Sequence, residues 1–187
     1  TRSIAFYREV VCRTALLVAR WQCVGWCHGV LNTDNMSIIG VTIDYGPFGF
    51  LDRYDPNYIC NSSDDSGRYA YDKQPEICKW NLSILAQQLE PLIDKHTMQL
   101  ALDEYDEIYN EEYLRIMRNK LGLVYIKDEQ DSILIENLLE TMYETGSDFT
   151  NTFRALARIN INSEEKNENE LVEYLVQNCA SIDTLMN

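Results

Sequence analysis

The chain has 187 residues, with 16 Lys and Arg against 30 Asp and Glu, for a net charge of −14. That length suits one domain, or a large piece of one, and is enough to bury a core. With 45% hydrophobic and 25% charged residues the composition is that of a folded chain. The acidic balance argues against a general nucleic-acid binder and against an anionic membrane surface as partner. The longest uncharged run, Trp21 to Thr33, is too short to span a bilayer. The acidity is uneven: residues 1–60 carry five basic and five acidic groups, so the whole excess lies after residue 60. Five of the eight glycines also fall in that neutral first third, which is where chemistry is expected. The start at Thr1 reads as a cut, with no signal or transit peptide in view. Six cysteines without framework spacing point to a reducing compartment and mostly buried thiols.

Apolar residues at three- and four-residue steps from Ile4 through Tyr7, Val11, Ala15 and Val18 predict a helix over 3–26, ending near Gly25. A polar loop follows, His28-Gly29-Val30-Leu31-Asn32-Thr33-Asp34-Asn35. Two short β-type runs, Met36–Ile39 and Val41–Ile43, are expected to be buried strands that present this loop at one end. Residues 51–74 read as irregular. Pro75 opens a helix over 75–90 with Ile77, Trp80, Leu82, Leu85 and Leu89 facing the core. Helices over 97–121, 129–144, 148–159 and 170–180 complete an all-helical remainder. Gly122 is read as a C-terminal cap before an extended Leu123–Ile126, and Ser147 as an N-cap. Asn162–Asn169 is read as a charged connector, and Glu164–Glu168 within it as a solvated face.

Asp34, Asn35 and Asp44 place two carboxylates and an amide within eleven residues. Such hard oxygen donors suit Mg²⁺ held jointly with substrate phosphates, as phosphoryl and nucleotidyl transfer require. The alternative is that Asp34 and Asn35 only cap turns. The spacing favours the first reading: His28-Gly29-Val30, four residues, then Asn35, a strand pair, and Asp44-Tyr45-Gly46 follow the order of a kinase catalytic loop and its Asp-Phe-Gly. Val30 departs from that pattern, because it stands where the base Asp belongs and cannot take a proton. Asp34 is the carboxylate near enough to substitute. On motif alone the chain is a pseudokinase, or a kinase-like enzyme whose base has moved.

The string His28 to Asp52, with Gly67-Arg-Tyr-Ala-Tyr71, Gln74-Pro75, Trp80-Asn-Leu82 and Phe149-Thr-Asn-Thr-Phe153, resembles the selenoprotein O (SelO/YdiU) family over essentially the whole chain. That resemblance implies a protein-kinase-like fold (α+β overall), of which this chain is the mostly helical large lobe with short strands around the catalytic loop. Nucleotide is bound in a flipped orientation in that family, and AMP passes from ATP to Ser, Thr or Tyr hydroxyls of protein substrates. By position, Asp34 would be the catalytic proton acceptor. Asn35 and Asp44 would be Mg²⁺ ligands, with Asp44 also close to the nucleotide. The organisation implied is a catalytic loop at 28–35, Asp-Tyr-Gly at 44–46, an activation-type segment at 47–74 and a helical remainder at 75–187. The small lobe and a C-terminal extension would lie outside Thr1–Asn187, so this chain alone is expected to transfer little AMP. The alternative is a catalytically inactive pseudokinase acting as a nucleotide- or partner-binding module. A monomer is expected, in the mitochondrion by resemblance to animal members, or in the cytoplasm as in bacterial ones.

Further residues carry readings of their own. His28 is expected to brace the loop by hydrogen bonding, and His96 to sit at the surface. Cys60 is either a free half-exposed thiol or one that pairs with a cysteine beyond Asn187. Cys23 and Cys27-His28 lack the second ligand pair that a closed zinc site needs. Trp21, Trp26 and Trp80 are expected in the core. Tyr69 and Tyr71 are either packed or self-modified.

Overall fold

The computed structural model describes residues 2–125, 128–157 and 173. It is mostly helical with few strands. In chain order the elements are α1 (Arg2–Val24), β1 (Trp26–Cys27), a 3₁₀ turn (Thr33–Asn35), β2 (Gly49–Phe50), a second 3₁₀ turn (Tyr71–Lys73), α2 (Gln74–Leu89), α3 (Lys95–Lys120), α4 (Asp131–Thr145) and α5 (Phe149–Leu156). β1 and β2 form the one two-stranded sheet among the described residues. The chain divides into two compact units, residues 1–49 with 57–113, and residues 50–56 with 114–187. The expected helix over 170–180 and the connector Asn162–Asn169 lie outside the described residues.

In the first unit, α1 buries Tyr7, Val10, Val11, Thr14, Ala15, Val18 and Trp21 along one stripe, while Arg2, Arg8 and Arg20 stay exposed. The stripe packs with Cys78 and Leu82 of α2, with Met98, Ala101, Leu102 and Tyr105 of α3, and with Trp26 and Leu31. The Tyr7 hydroxyl donates to the Leu82 carbonyl at 3.1 Å, and burial pushes the phenol up to about 12. Gly25, at φ +68, ends α1 where the sequence placed the stop. Pro75 sits in the first turn of α2, as expected.

In the second unit, α4 ends at Gly146 (φ +64), whose amide bonds back to the Met142 and Tyr143 carbonyls. Asp148 caps α5 by accepting from the Asn151 amide. The expected cap, Ser147, is instead buried, because its own amide closes the end of α4 onto the Met142 carbonyl. Arg118 pairs with Asp131, both nearly buried, and also donates to the Leu123 carbonyl. The Lys120 ammonium stands 3.7 Å from the Phe153 ring centroid.

Two further expectations are corrected. Met36–Ile39 and Val41–Ile43 are not strands. Gly40, at φ +73, turns the chain back so that its amide reaches the Ser37 carbonyl, and neither run forms a ladder among the described residues. Their side chains are not buried, and Ile39 is 60% exposed. Trp80 is not core, because it lies half exposed under the Arg68 guanidinium, 4.9 Å from the ring centroid. On α4, Ile135 and Met142 are buried, whereas Ile133 and Leu134 face outward.

Candidate active site

The site grows out of the end of α1. Gly25 turns the chain into β1, and β1 delivers His28 into the core at 1% exposure. Its Nε2 donates to the Ile43 carbonyl at 3.0 Å, and its Nδ1 accepts from the Val30 amide at 3.4 Å. One neutral ring thus ties the start of the loop to the residue before Asp44. Its edges meet Trp21 and Trp26, with centroids 5.7 and 5.4 Å away. Burial holds the imidazole below its ordinary value, although the Asp44 charge works the other way. His28 therefore braces the loop, as expected.

Gly29 follows at φ +80, a conformation that disfavours any side chain. A Cβ built there would lie 2.5 Å from the Cys60 Sγ and 3.2 Å from Pro47 Cγ. Val30 is half buried and Leu31 fully buried, so the apolar pair anchors the loop to the core. Beyond it the chain rises into the turn Thr33–Asn35, and the Asp34 carboxylate is exposed. The Asn35 side-chain amide donates to the Val30 carbonyl at 3.0 Å, which turns its oxygen into a fixed acceptor. Asp44 is the one non-glycine residue with positive φ (54°) among those described, and its carbonyl accepts from the Gly46 amide at 2.8 Å. Asp is one of the few side chains that tolerate this left-handed backbone.

The loop is held from outside as well. Five backbone carbonyls between Trp26 and Leu31 each accept a bond from a side chain. Gln74 donates to Trp26 at 2.9 Å, Cys60 to Cys27 at 3.4 Å, Asn61 to Gly29 at 3.1 Å, and Asn81 to Leu31 at 2.9 Å. Asn35, within the loop, holds Val30. The Tyr69 hydroxyl reaches the Asn32 side chain, and the Tyr71 hydroxyl is buried against the Gln22 carbonyl, so both tyrosines are packed. Cys60 is half exposed, and the hydrogen bond between its thiol and the Cys27 thiol pulls Cys60 down while pushing the buried Cys27 up. His96 is exposed.

The donor set can be tested against a metal. Among the described residues no three His, Cys, Asp or Glu side chains form a cage that could hold an ion by themselves. Asp34 and Asp44 are exposed, with no ion-pair partner among those residues. A few hard oxygens facing outward fit Mg²⁺, which keeps waters and shares its shell with phosphates. They do not fit a structural zinc site.

The model of the family described as "Protein adenylyltransferase SelO" matches residues 1–185. This chain belongs to the SelO family. The relative named "Protein adenylyltransferase SelO-1, mitochondrial" from Danio rerio is 54% identical over 190 residues, which cover 98% of this chain and 28% of the relative. "Protein adenylyltransferase SelO, mitochondrial" from Homo sapiens is 55% identical over 185 residues, covering 98% and 28%. "Protein nucleotidyltransferase YdiU" from Vibrio vulnificus (strain CMCP6) is 48% identical over 162 residues, covering 87% and 33%. The chain thus spans less than a third of the length of these curated relatives.

The sequence pointed to Asp34, Asn35, Asp44 and His28 as candidates, but it did not point to Gln74, Asn81 and Asn61, whose side chains hold the loop. These amides reach the loop across 32 to 50 residues. The one local signal is that Gln74 and Asn81 lie seven residues apart, on one face of α2.

Proposed function

We propose that this chain is the kinase-like large lobe of a protein adenylyltransferase that moves AMP from ATP to Ser, Thr or Tyr hydroxyls of proteins. The supporting observation is the family match over residues 1–185, read onto a loop where Val30 is apolar and half buried and Asp34 is an exposed carboxylate. In this reading the loop is 28–35, Asp44-Tyr45-Gly46 faces the phosphates, and 47–74 is the activation-type segment. The acceptor oxygen attacks the α-phosphorus, and the α–β bridging bond breaks. Pyrophosphate leaves with that electron pair, and the hydroxyl proton passes to the Asp34 carboxylate. Asn35 Oδ1 and the Asp44 carboxylate would hold Mg²⁺, which supplies positive charge beside the phosphate oxygens. His28 keeps its proton on Nε2 and positions Asp44 through Ile43. Gly29 lets the backbone pass close to Cys60.

The reaction is assigned to the mitochondrion by likeness to the animal relatives, and the working unit to a monomer. A second reading, a nucleotide-binding pseudokinase without turnover, rests on Val30. Intact-mass analysis of a protein acceptor incubated with the full-length enzyme, Mg²⁺ and ATP decides between them. The expected result is an AMP adduct that is lost in Asp44→Ala. An unmodified acceptor favours the pseudokinase.

A further inference from the structure

Helix α2 reaches the loop twice. Gln74, at its first residue, is completely buried, donates to the Trp26 carbonyl at 2.9 Å and accepts from the His28 amide at 2.8 Å. Asn81, two turns later and only 5% exposed, donates to the Leu31 carbonyl at 2.9 Å. The two side chains stand about 10 Å apart along the helix axis, at 1.5 Å per residue. They therefore grip the loop on either side of Gly29-Val30.

The second grip does not follow from fold stability. The Asn81 Oδ1 is buried and has no hydrogen-bond partner among the described residues. An orphaned acceptor of this kind is unfavourable, and an apolar side chain of the same size would exchange it for an unpaired Leu31 carbonyl, so the amide brings little net stability. The amide is better explained by what its nitrogen does, which is to fix the Leu31 carbonyl. Leu31 lies between Val30, whose carbonyl holds the Asn35 amide, and Asn32, whose carbonyl accepts the Asn35 backbone N–H at 3.0 Å. Fixing Leu31 therefore fixes both anchors of Asn35, and with them the direction of its free oxygen. Gln74 acts at the other end through the His28 amide, and His28 in turn meets Ile43 beside Asp44.

We propose that Gln74 and Asn81 are positioning residues for the reaction: two amides on one face of α2 that set the spacing and direction of the Asn35 oxygen and Asp44. The proposal rests on the AMP-transfer reading above for what is being positioned. Neither residue touches the reacting atoms.

The test uses the full-length enzyme with Gln74→Met and Asn81→Leu, which remove the amides at similar volume, and Gln88→Ala, an exposed change on the same helix, as control. Three quantities are read: steady-state AMP transfer against ATP and Mg²⁺, the thermal midpoint, and amide hydrogen exchange over residues 26–35. Both variants are expected to lower kcat about 10- to 100-fold, as loss of an outer partner of a metal ligand does. The Mg²⁺ half-saturation rises severalfold while KM for ATP at saturating Mg²⁺ stays within about twofold. Exchange speeds up over 26–35 and not elsewhere, and the Asn81→Leu midpoint does not fall in proportion to its kcat. Faster loop exchange with wild-type kcat and Mg²⁺ response overturns the proposal, as does a kcat loss that only tracks unfolded protein. If the wild-type enzyme transfers no AMP, the failure is that of the AMP-transfer reading. The exchange data still decide this one, because unchanged protection over 26–35 in both variants overturns it.

Discussion

Gly29 sits where the His-Gly of the loop meets Cys60, and the cost of a single methyl there can be worked out. Gly29→Ala puts an L side chain at φ +80, a strain of about 1–2 kcal/mol. It also sets a Cβ 2.5 Å from the Cys60 Sγ, far inside van der Waals contact. Overlap of that kind in a packed region costs about 1–3 kcal/mol more. The expected total is therefore about 3 kcal/mol. The two parts separate in a double-mutant cycle. In a Cys60→Ala background the sulfur is gone and the strain remains with the milder contact to Pro47 Cγ at 3.2 Å, so the same Gly29→Ala change costs about 1–2 kcal/mol. The assay is urea unfolding of the four full-length proteins, read as free-energy differences at constant slope. A coupling energy of about 1–3 kcal/mol of relief is expected. If Gly29→Ala costs the same in both backgrounds, the sulfur does not lie against the loop. If it costs nothing in either, the left-handed backbone at Gly29 is wrong too.

Two further outcomes follow from the same geometry. Asp34→Ala lowers AMP transfer by about 10²- to 10⁴-fold, the worth of a general base, while nucleotide affinity changes little; full activity in that variant, measured by acceptor labelling, removes Asp34 from the mechanism. His28 is buried neutral, with its folded value below 6.5, so the unfolded chain takes up its proton first as pH falls. Its contribution to stability is present above about pH 6.5 and declines as pH drops from there toward the lower folded value. Unfolding at pH 7 and pH 5 in wild type and His28→Asn should show a smaller acid loss in the variant, and an equal loss in both contradicts a buried neutral ring.

What was legible in the sequence was what depends on near neighbours. The stripe from Tyr7 to Val18 declared α1, Pro75 declared the start of α2, and Gly25 and Gly122 declared their turns because glycine adopts positive φ without a side-chain clash. The loop was singled out by the spacing of His28, Asp34, Asn35 and Asp44, and of these the bracing part expected of His28 is seen in its bonds to Ile43 and Val30. The misreadings came from longer range. Ile38, Ile39, Val41 and Ile43 have strand-forming side chains, but strands need partners, and the turn at Gly40 competes. Trp80 fits an apolar helical face, yet Arg68 meets it at the surface. Ser147 and Asp148 are both good caps, and the choice fell to the residue not needed to close α4. Gln74 and Asn81 were invisible as site residues because an amide has no signature until its carbonyl partners are known.

The central claim concerns which phosphorus the acceptor attacks. The most direct measurement incubates the full-length protein with Mg²⁺, a protein acceptor, and ATP labelled at either the α- or the γ-phosphate, beside an Asp44→Ala control. Label retained on protein from the α-position alone, and lost in the control, is the predicted result. Label retained from the γ-position alone would make the chain part of an ordinary kinase, and label from neither position would make it part of a binding module; either outcome contradicts the account.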